Sequence, residues 1–372
     1  MFRSHARWLG ALVVAGLIAA GCSTAPGGAT SGATTKVKLQ LQWVPQAQFA
    51  GEIAAKQEGY YAAEGLDVEF LAGGPNVANI TVGCAKDGPE FTLGWVPKAL
   101  VAVEANGGAD CDLVSIAQIF QRSGTRSVSW KESNITSPAD FKGKKVGVWD
   151  FGNEYEVTAG AKKVGNLTAG TDYTRVIQDF NMSALLKKDI DVAEAMTYNE
   201  YAQVLEAKNP ATGQLYKPED LNVIDWNQVG TAMLQDAVFA RKAWLAQAGN
   251  ADIATKFLRA TFKGWMFCRD NPAKCVDYVL AAGTTLGKGH QAWQMNEVNP
   301  LIWPSPDGIG ITNQAAWDQT IQIALDFGVL KAKPADGAFR NDIAQAALAG
   351  ITGDTKGASF QKGTVTVTEG GN

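Results

Sequence analysis

The stretch Lys36–Gly73, KVKLQLQWVPQAQFAGEIAAKQEGYYAAEGLDVEFLAG, decides how the rest of the chain is read. Val37, Leu39 and Leu41 alternate with Lys38, Gln40 and Gln42, the period of a half-buried strand that Trp43 and Pro45 bring to an end. Phe49 and Ile53 then stand at i,i+4, with Ala50 and Ala54 widening the same face into a helix. Tyr60–Tyr61 and Gly65 close the helical region, and Leu66, Val68 and Phe70 alternate as a second strand. A strand, a helix and a strand in this order make a βαβ unit with a right-handed crossover in a parallel sheet. Ligands of open α/β sheets sit beyond the carboxyl ends of the strands, which makes the loop Gln42–Gln48 a candidate ligand lip.

The same residues carry a family resemblance. Trp43-x-Pro45, then Ala50-Gly51, then Ala55-x-x-x-Gly59-Tyr60-Tyr61-x-x-Glu64-Gly65-Leu66-Asp67-Val68 resembles the opening of ABC-transporter solute-binding proteins for thiamine pyrimidines, flavins, nitrate, sulfonates and taurine. The resemblance implies a two-lobed type II periplasmic-binding-protein fold of α/β class. Each lobe is then a mainly parallel sheet flanked by helices, with a ligand cleft between the lobes and no enzymatic activity. It covers about residues 36–350 and does not choose the ligand.

Residues 1–21 read as a signal peptide: Arg3 and Arg7 form a basic start, and Leu9–Ala20 is an apolar run shorter than the about 20 residues that span a bilayer. The run ends Ala19-Ala20-Gly21-Cys22, which resembles a bacterial lipobox with Ala19 where that pattern prefers Leu. Cys22 is therefore expected to be lipidated, the alternative being ordinary cleavage near Gly21. Residues 22–35 hold small uncharged side chains and one Pro, a flexible tether with a mean reach of roughly 20 Å.

Without Arg3 and Arg7 the 33 basic residues fall to 31 against 37 acidic ones, a charge of −6, and no basic cluster invites nucleic acid. Four cysteines remain beyond Cys22, an even number that suggests two disulfides. Proximity in sequence favours Cys84–Cys111 and Cys268–Cys275, one of three possible pairings. Chain entropy gives these loops roughly 3.5 and 2.5 kcal/mol. The shorter loop needs a helix break, since seven residues of one helix span about 10.5 Å. Asn271 as N-cap and Pro272 at the first helical position would provide it.

Lobe 1 is expected to take residues 36–126 and, after an inserted lobe 2 at 127–231, a mostly helical return at 232–350. In the family the segment Lys142-Gly143-Lys144 before a strand resembles the opening of the second domain. The return should carry helices at Ala240–Gln247, Asp252–Cys268, Pro272–Ala281 and Gln314–Phe327. The tail 351–372 is expected to be disordered or to add an edge strand at Val365 and Val367.

The chain is poor in catalytic chemistry. His5 leaves with the signal, so His290 is the one histidine of the mature chain, without a Cys or carboxylate at metal-ligand spacing, and reads as a surface residue. Gly283-x-x-x-Gly287-Lys288-Gly289 is one residue short of a P-loop and lacks the Ser or Thr that holds Mg²⁺. Neither a metal nor a cofactor is expected. The resemblance also reaches fungal pyrimidine synthases, whose matching first loop carries a histidine. Phe49 occupies that place here, and no cysteine-rich iron motif follows.

A binding protein needs only a lined cleft. Trp43, Trp95, Trp149 and Trp226 each fall at or just past an expected strand end, and flat rings suit a flat heteroaromatic ligand. Gln48, Phe49, Gln121, Asn153, Glu154, Tyr198 and Glu200 lie in the corresponding loops as orienting partners, Asn153 being equally suited to helix capping. Carboxylates there favour an N–H donor over an anion; Arg122 and Arg126 keep a sulfonate or nitrate as the second reading. The expected partners are thus a small heteroaromatic molecule, an ABC permease and, through the lipid, the membrane, with the protein a monomer.

Overall fold

The computed structural model describes residues 34–105 and 107–372. The expected signal peptide, Cys22 and all but the end of the 22–35 tether lie outside the described residues. Among the described residues ten strands form two sheets: β1 (Thr35–Gln40), β2 (Leu66–Leu71), β3 (Phe91–Gly94), β4 (Leu113–Gln118), β5 (Thr125–Trp130), β6 (Lys145–Val148), β7 (Thr174–Ile177), β8 (Val192–Met196), β9 (Leu221–Asp225) and β10 (Ala237–Arg241). The first sheet runs β2-β1-β3-β10-β4 and the second β7-β6-β8-β5-β9. The opening βαβ unit forms as its alternation demands. β1 pairs parallel with β2, Val37 opposite Val68 and Leu39 opposite Phe70, and the helix Ala50–Gln57 crosses between them.

Each sheet is mixed in the same way. β10 is antiparallel to β3 and β4, and β5 is antiparallel to β8 and β9. These two strands follow the two segments in which the chain passes from one sheet to the other. The passages are knotted together by buried polar groups. The Glu156 carboxylate accepts from Ser123 Oγ (2.7 Å), Met233 N (2.9 Å) and Gln235 Nε2 (3.2 Å), while Gln235 Oε1 accepts from Gly124 N (2.9 Å).

β10 corrects the expectation of a helical return. Ala237–Arg241 is a strand, and only Lys242–Leu245 of the expected helix Ala240–Gln247 is helical. All five strand residues are buried, so the segment shows no alternation, and a short apolar run fits helix and strand equally. The helix Lys288–Ile302 was also illegible. Its buried face includes His290, Gln291 and Gln294, and Pro300 lies inside it, so no apolar stripe marks it. The tail forms neither an edge strand nor a free end: Gly371 is buried, Gly370 N donates to Glu206 O (3.0 Å), and Glu369 pairs with Lys208 (2.6 Å).

The sulfurs of Cys84 and Cys111 lie 1.99 Å apart and those of Cys268 and Cys275 1.95 Å apart. The second pair straddles the break between the helices Asn250–Asp270 and Pro272–Ala281. Asn271 sits at the N-cap position, but its side chain donates back to Phe267 O (3.1 Å) and does not cap.

The helices Ala50–Gln57 and Asn250–Asp270 meet through glycine. A Cβ at Gly264 would stand 2.0 Å from Gly51 O, and one at Gly51 would stand 2.2 Å from the Trp265 ring. Gly264→Ala is expected to lower unfolding stability by about 1–3 kcal/mol, the usual cost of overpacking. An unchanged midpoint in urea would mean that the helices do not approach this closely.

Candidate ligand-binding site

Strands of both sheets end at one cleft of about 560 Å³. From the first sheet come Trp43 after β1 and Trp95 after β3; from the second come Trp149 after β6, Phe180 after β7 and Tyr198 after β8. The rings form a wall that joins the two sheets. Trp43 tilts against Phe180 at 4.4 Å between centroids, and Phe180 stacks on Trp149 at 5.8 Å with 17° between planes. Trp95, Trp149 and Tyr198 are buried.

Amides and Glu200 make the floor, with the Asp236 and Glu194 carboxyls buried behind it. Gln48 Nε2 donates to both oxygens of Asp236 (3.1 and 3.0 Å), and Gln46 Nε2 donates to Gln48 Oε1 (2.7 Å). The Gln42 amide, turned so that both ends are satisfied, donates to Asp236 (3.2 Å) and accepts from Trp95 Nε1 (2.8 Å). Burial pushes the Asp236 carboxyl up to about 7, against the pull of the Gln48 hydrogen bond and Lys98. Burial likewise raises Glu200 to about 7, though its oxygens accept from Met196 N (3.0 Å) and Asn199 Nδ2 (2.7 Å). Glu194, behind Trp149 N (2.7 Å), is raised well above the usual range by burial. Lys98 is the one cation of the lining; burial lowers it to about 8 against the fields of Glu154, Glu194 and Asp236, and Nζ donates to Asn153 Oδ1 (3.2 Å).

Of the side chains picked from sequence, Trp43, Gln48, Trp95, Trp149, Asn153, Tyr198 and Glu200 line the cleft. Four do not. Phe49 is packed in the first-lobe core at the start of its helix. Gln121 is spent on Gln118 O (2.8 Å) and Ile311 O (3.3 Å). Glu154 turns back to accept from Gly152 N (2.9 Å) and faces Arg175 at 4.0 Å. Trp226 is fully buried against Phe141 and Gly160, because Asp225 caps a short helix that turns the ring into the core of the second sheet. Phe180 was missed although it follows a strand as the tryptophans do. Gln42, Gln46 and Asn199 carry no signal beyond their loops, Lys98 sits on the helix Val96–Ala105 with nothing in the sequence to mark it, and Asp236 was hidden by the helical reading of its segment.

His290 is buried, not a surface residue. Its Nδ1 meets both oxygens of Glu206 (2.8 and 3.0 Å) and its Nε2 meets Asn199 Oδ1 (2.9 Å). Gln294 Nε2, on the same helix, donates to Asn199 Oδ1 (3.2 Å) and Gln46 Oε1 (3.1 Å). The Lys288–Ile302 helix therefore clasps the first-sheet loop Gln46–Gln48 to the Asn199–Glu206 segment after β8. Among the described residues no three His, Cys, Asp or Glu side chains are grouped so as to hold a metal ion.

Residues 46–275 match the NMT1/THI5-like family. The chain belongs to it. Within curated proteins this NMT1/THI5-like chain is 23% identical over 316 residues to riboflavin-binding protein RibY of Chloroflexus aurantiacus, covering 82% of this chain and 85% of that one. It is 23% identical over 273 residues to the formylaminopyrimidine-binding protein of Halalkalibacterium halodurans, covering 72% and 77%. Its fold is that of the periplasmic aliphatic sulphonate binding protein SsuA of Escherichia coli: TM-score 0.57, 14% identity, 84% of this chain and 91% of that one.

The raised carboxyls give the site a pH signature. Asp236 and Glu200 hold their protons more tightly folded than unfolded. Their stabilisation is complete below the unfolded carboxylate range, about 4, and is lost as pH climbs through about 7. The melting temperature is expected to fall from about pH 5 to about pH 8, and to fall less in D236N/E200Q. Equal slopes in the two proteins would remove these groups from the account.

Proposed function

We propose that this protein is the extracytoplasmic substrate-binding lipoprotein of an ABC importer, and that it captures a flat heteroaromatic vitamin or precursor of thiamine-pyrimidine or riboflavin type. The observation that carries this reading is the Trp43–Phe180–Trp149 wall, drawn from both sheets. Offset stacking on such rings contributes about 0.5–1.5 kcal/mol per pair beyond area burial. The riboflavin-binding and formylaminopyrimidine-binding relatives support the same ligand class.

The sulfonate, nitrate or taurine alternative wants arginine in the cleft. Arg122 donates to Pro300 O (3.3 Å) and Pro304 O (2.9 Å), Arg126 pairs with Asp225 (3.1 Å), and neither lines the cleft. A pyrimidine synthase needs a reactive histidine, and His290 has both ring nitrogens engaged by Glu206 and Asn199.

In this reading residues 1–21 are removed, Cys22 is lipidated, and residues 22–35 leash the domain to the membrane beside its permease. Among the described residues no helix is long and apolar enough to cross a membrane, so the lipid supplies the anchor. The cysteine pairs are two disulfides, suited to an exported monomer. Lobe 1 comprises 36–126 and 232–350, lobe 2 comprises 127–231, and the tail 351–372 lies across them. The two chain passages act as a hinge near Arg126 and Gly230-Thr231. Gly230 (φ 76°) sits in the left-handed region that glycine tolerates.

Riboflavin or an aminopyrimidine is expected to quench tryptophan fluorescence and to raise the melting temperature by mass action. Trp43→Ala should weaken that binding by about tenfold. Stabilisation by taurine or nitrate, with no response to flavin or pyrimidine, would overturn the ligand class.

The clasp gives a second test. His290→Ala should speed ligand release and reduce the compaction that ligand induces in small-angle scattering, with Glu206→Gln intermediate. Tight binding with no change in radius, in either protein, would rule out closure of the lobes around the ligand.

A further inference from the structure

Among the described residues Lys98 is the one cation of the cleft lining. It stands on the helix Val96–Ala105, which follows β3 of the first sheet. Its ammonium lies 5.6 Å from the centre of the Trp95 ring and donates to Asn153 Oδ1 (3.2 Å), and both of these side chains also line the cleft. An ammonium has three donors, and one is spent here. Among the described residues no second hydrogen bond and no ion pair reaches Nζ.

The second sheet holds this head in place. The loop 150–154 follows β6, and Gly152 in it takes φ 90° against the lysine stem. A Cβ at Gly152 would stand 2.9 Å from Lys98 Cγ, so the loop approaches the stem through a glycine. Asn153, next in that loop, accepts from the ammonium, while its own Nδ2 is spent on Asp150 O (2.8 Å). Lys98 therefore reaches from the first-sheet side of the cleft to the second, its stem packed and its head among lining residues.

Charge and hydrogen bonding part company at this ammonium. The fields of Glu154, Glu194 and Asp236 favour its charged form, and burial opposes them. None of those carboxyls takes a hydrogen bond from it. Glu154 accepts from Gly152 N (2.9 Å), Glu194 from Trp149 N (2.7 Å) and Asp236 from Gln48 Nε2 (3.1 and 3.0 Å). The positive charge thus has counter-charges around it, but its remaining donors have no acceptor. An anion would add to the carboxyls already present, whereas a neutral oxygen fills a donor and brings no charge. A carbonyl oxygen has two lone pairs for the two remaining donors, where a ring nitrogen has one.

We propose that Lys98 selects the ligand by donating to a neutral carbonyl oxygen that the ligand must carry. The inference rests on the binding function proposed above and deepens it by naming a group on the ligand. The captured heteroaromatic bears a ring oxo group or a formamide and is not a bare aminopyrimidine. Lys98 is then a specificity-determining residue, and its removal acts on each ligand through that one oxygen.

The test compares wild type, K98M and K98Q as purified proteins by calorimetric titration. Riboflavin and N-formyl-4-amino-5-aminomethyl-2-methylpyrimidine are the probes with a carbonyl, and 4-amino-5-hydroxymethyl-2-methylpyrimidine is the probe without one. Wild type should bind a carbonyl probe more tightly than the hydroxymethyl pyrimidine. K98M should raise the Kd of that carbonyl probe about tenfold, as expected for a lost hydrogen bond from a charged donor, and leave any binding of the hydroxymethyl pyrimidine unchanged. K98Q keeps an N–H donor and should recover part of the loss. K98M should melt no lower than wild type without ligand, which separates a ligand contact from a strut between the two sheets. If wild type binds a carbonyl probe and K98M binds it as tightly, Lys98 is not the anchor while the binding function stands. If K98M weakens the hydroxymethyl pyrimidine equally, Lys98 shapes the site and does not read a carbonyl. If the hydroxymethyl pyrimidine is the tightest ligand of wild type, the carbonyl requirement is wrong. If wild type binds none of the probes, the function proposed above fails and takes this inference with it.

Discussion

A chain of amide hydrogen bonds through the loop Gln46–Gln48 sets the register of everything around the cleft. Ala47 N donates to Gln291 Oε1 (2.7 Å) and Gln294 Oε1 (3.1 Å). Gln294 returns a donor to Gln46 Oε1, Gln46 donates to Gln48, and Gln48 donates to Asp236. An amide carries a donor and an acceptor, so each link fixes the orientation of the next. Leaving one such buried group unpaired costs about 1–3 kcal/mol, and a shifted loop would orphan several at once. Trp43 precedes the loop by three residues, so the aromatic wall inherits its position from this network. The chain continues across the cleft at Asn199, where Gln294 and His290 both converge.

Much of this architecture was legible because parts of it obey simple periods. Val37, Leu39, Val68 and Phe70 alternate, and β1 and β2 pair as that alternation requires. The strand-end rule found Trp43, Trp95 and Trp149 because the carboxyl ends of β1, β3 and β6 face the cleft. The same rule failed at Trp226 because Asp225 caps a short helix there, which turns the ring into the lobe's own core. That local turn was invisible in the strand pattern, so the two cases looked alike.

The polar half of the site was hidden for a different reason. His290, Gln291 and Gln294 stand on a helix whose buried face is polar, and hydrophobic periodicity cannot register a face that buries amides. Asp236 precedes a strand with no alternation because it is covered on both sides. Both elements lie in the return of the chain to the first sheet. There, pairing with residues distant in the sequence, from 84 positions at His290–Glu206 to 248 at Gln294–Gln46, decides the structure, and local pattern does not.

The electrostatics of the floor follow from that burial. Asp236, Glu194 and Glu200 are all pushed upward by desolvation, and Lys98 is pushed downward, so the site lowers its charge from both signs. An anion would have to be drawn in by one weakened ammonium, with the Glu200 carboxyl in the same lining. Of these carboxyls Glu200 lines the cleft, where a neutral ring with N–H groups would meet it as an acceptor, while Asp236 and Glu194 stand behind the lining. Donation of an N–H to a carboxyl favours its charged form, which lowers a pKa that burial has raised to about 7.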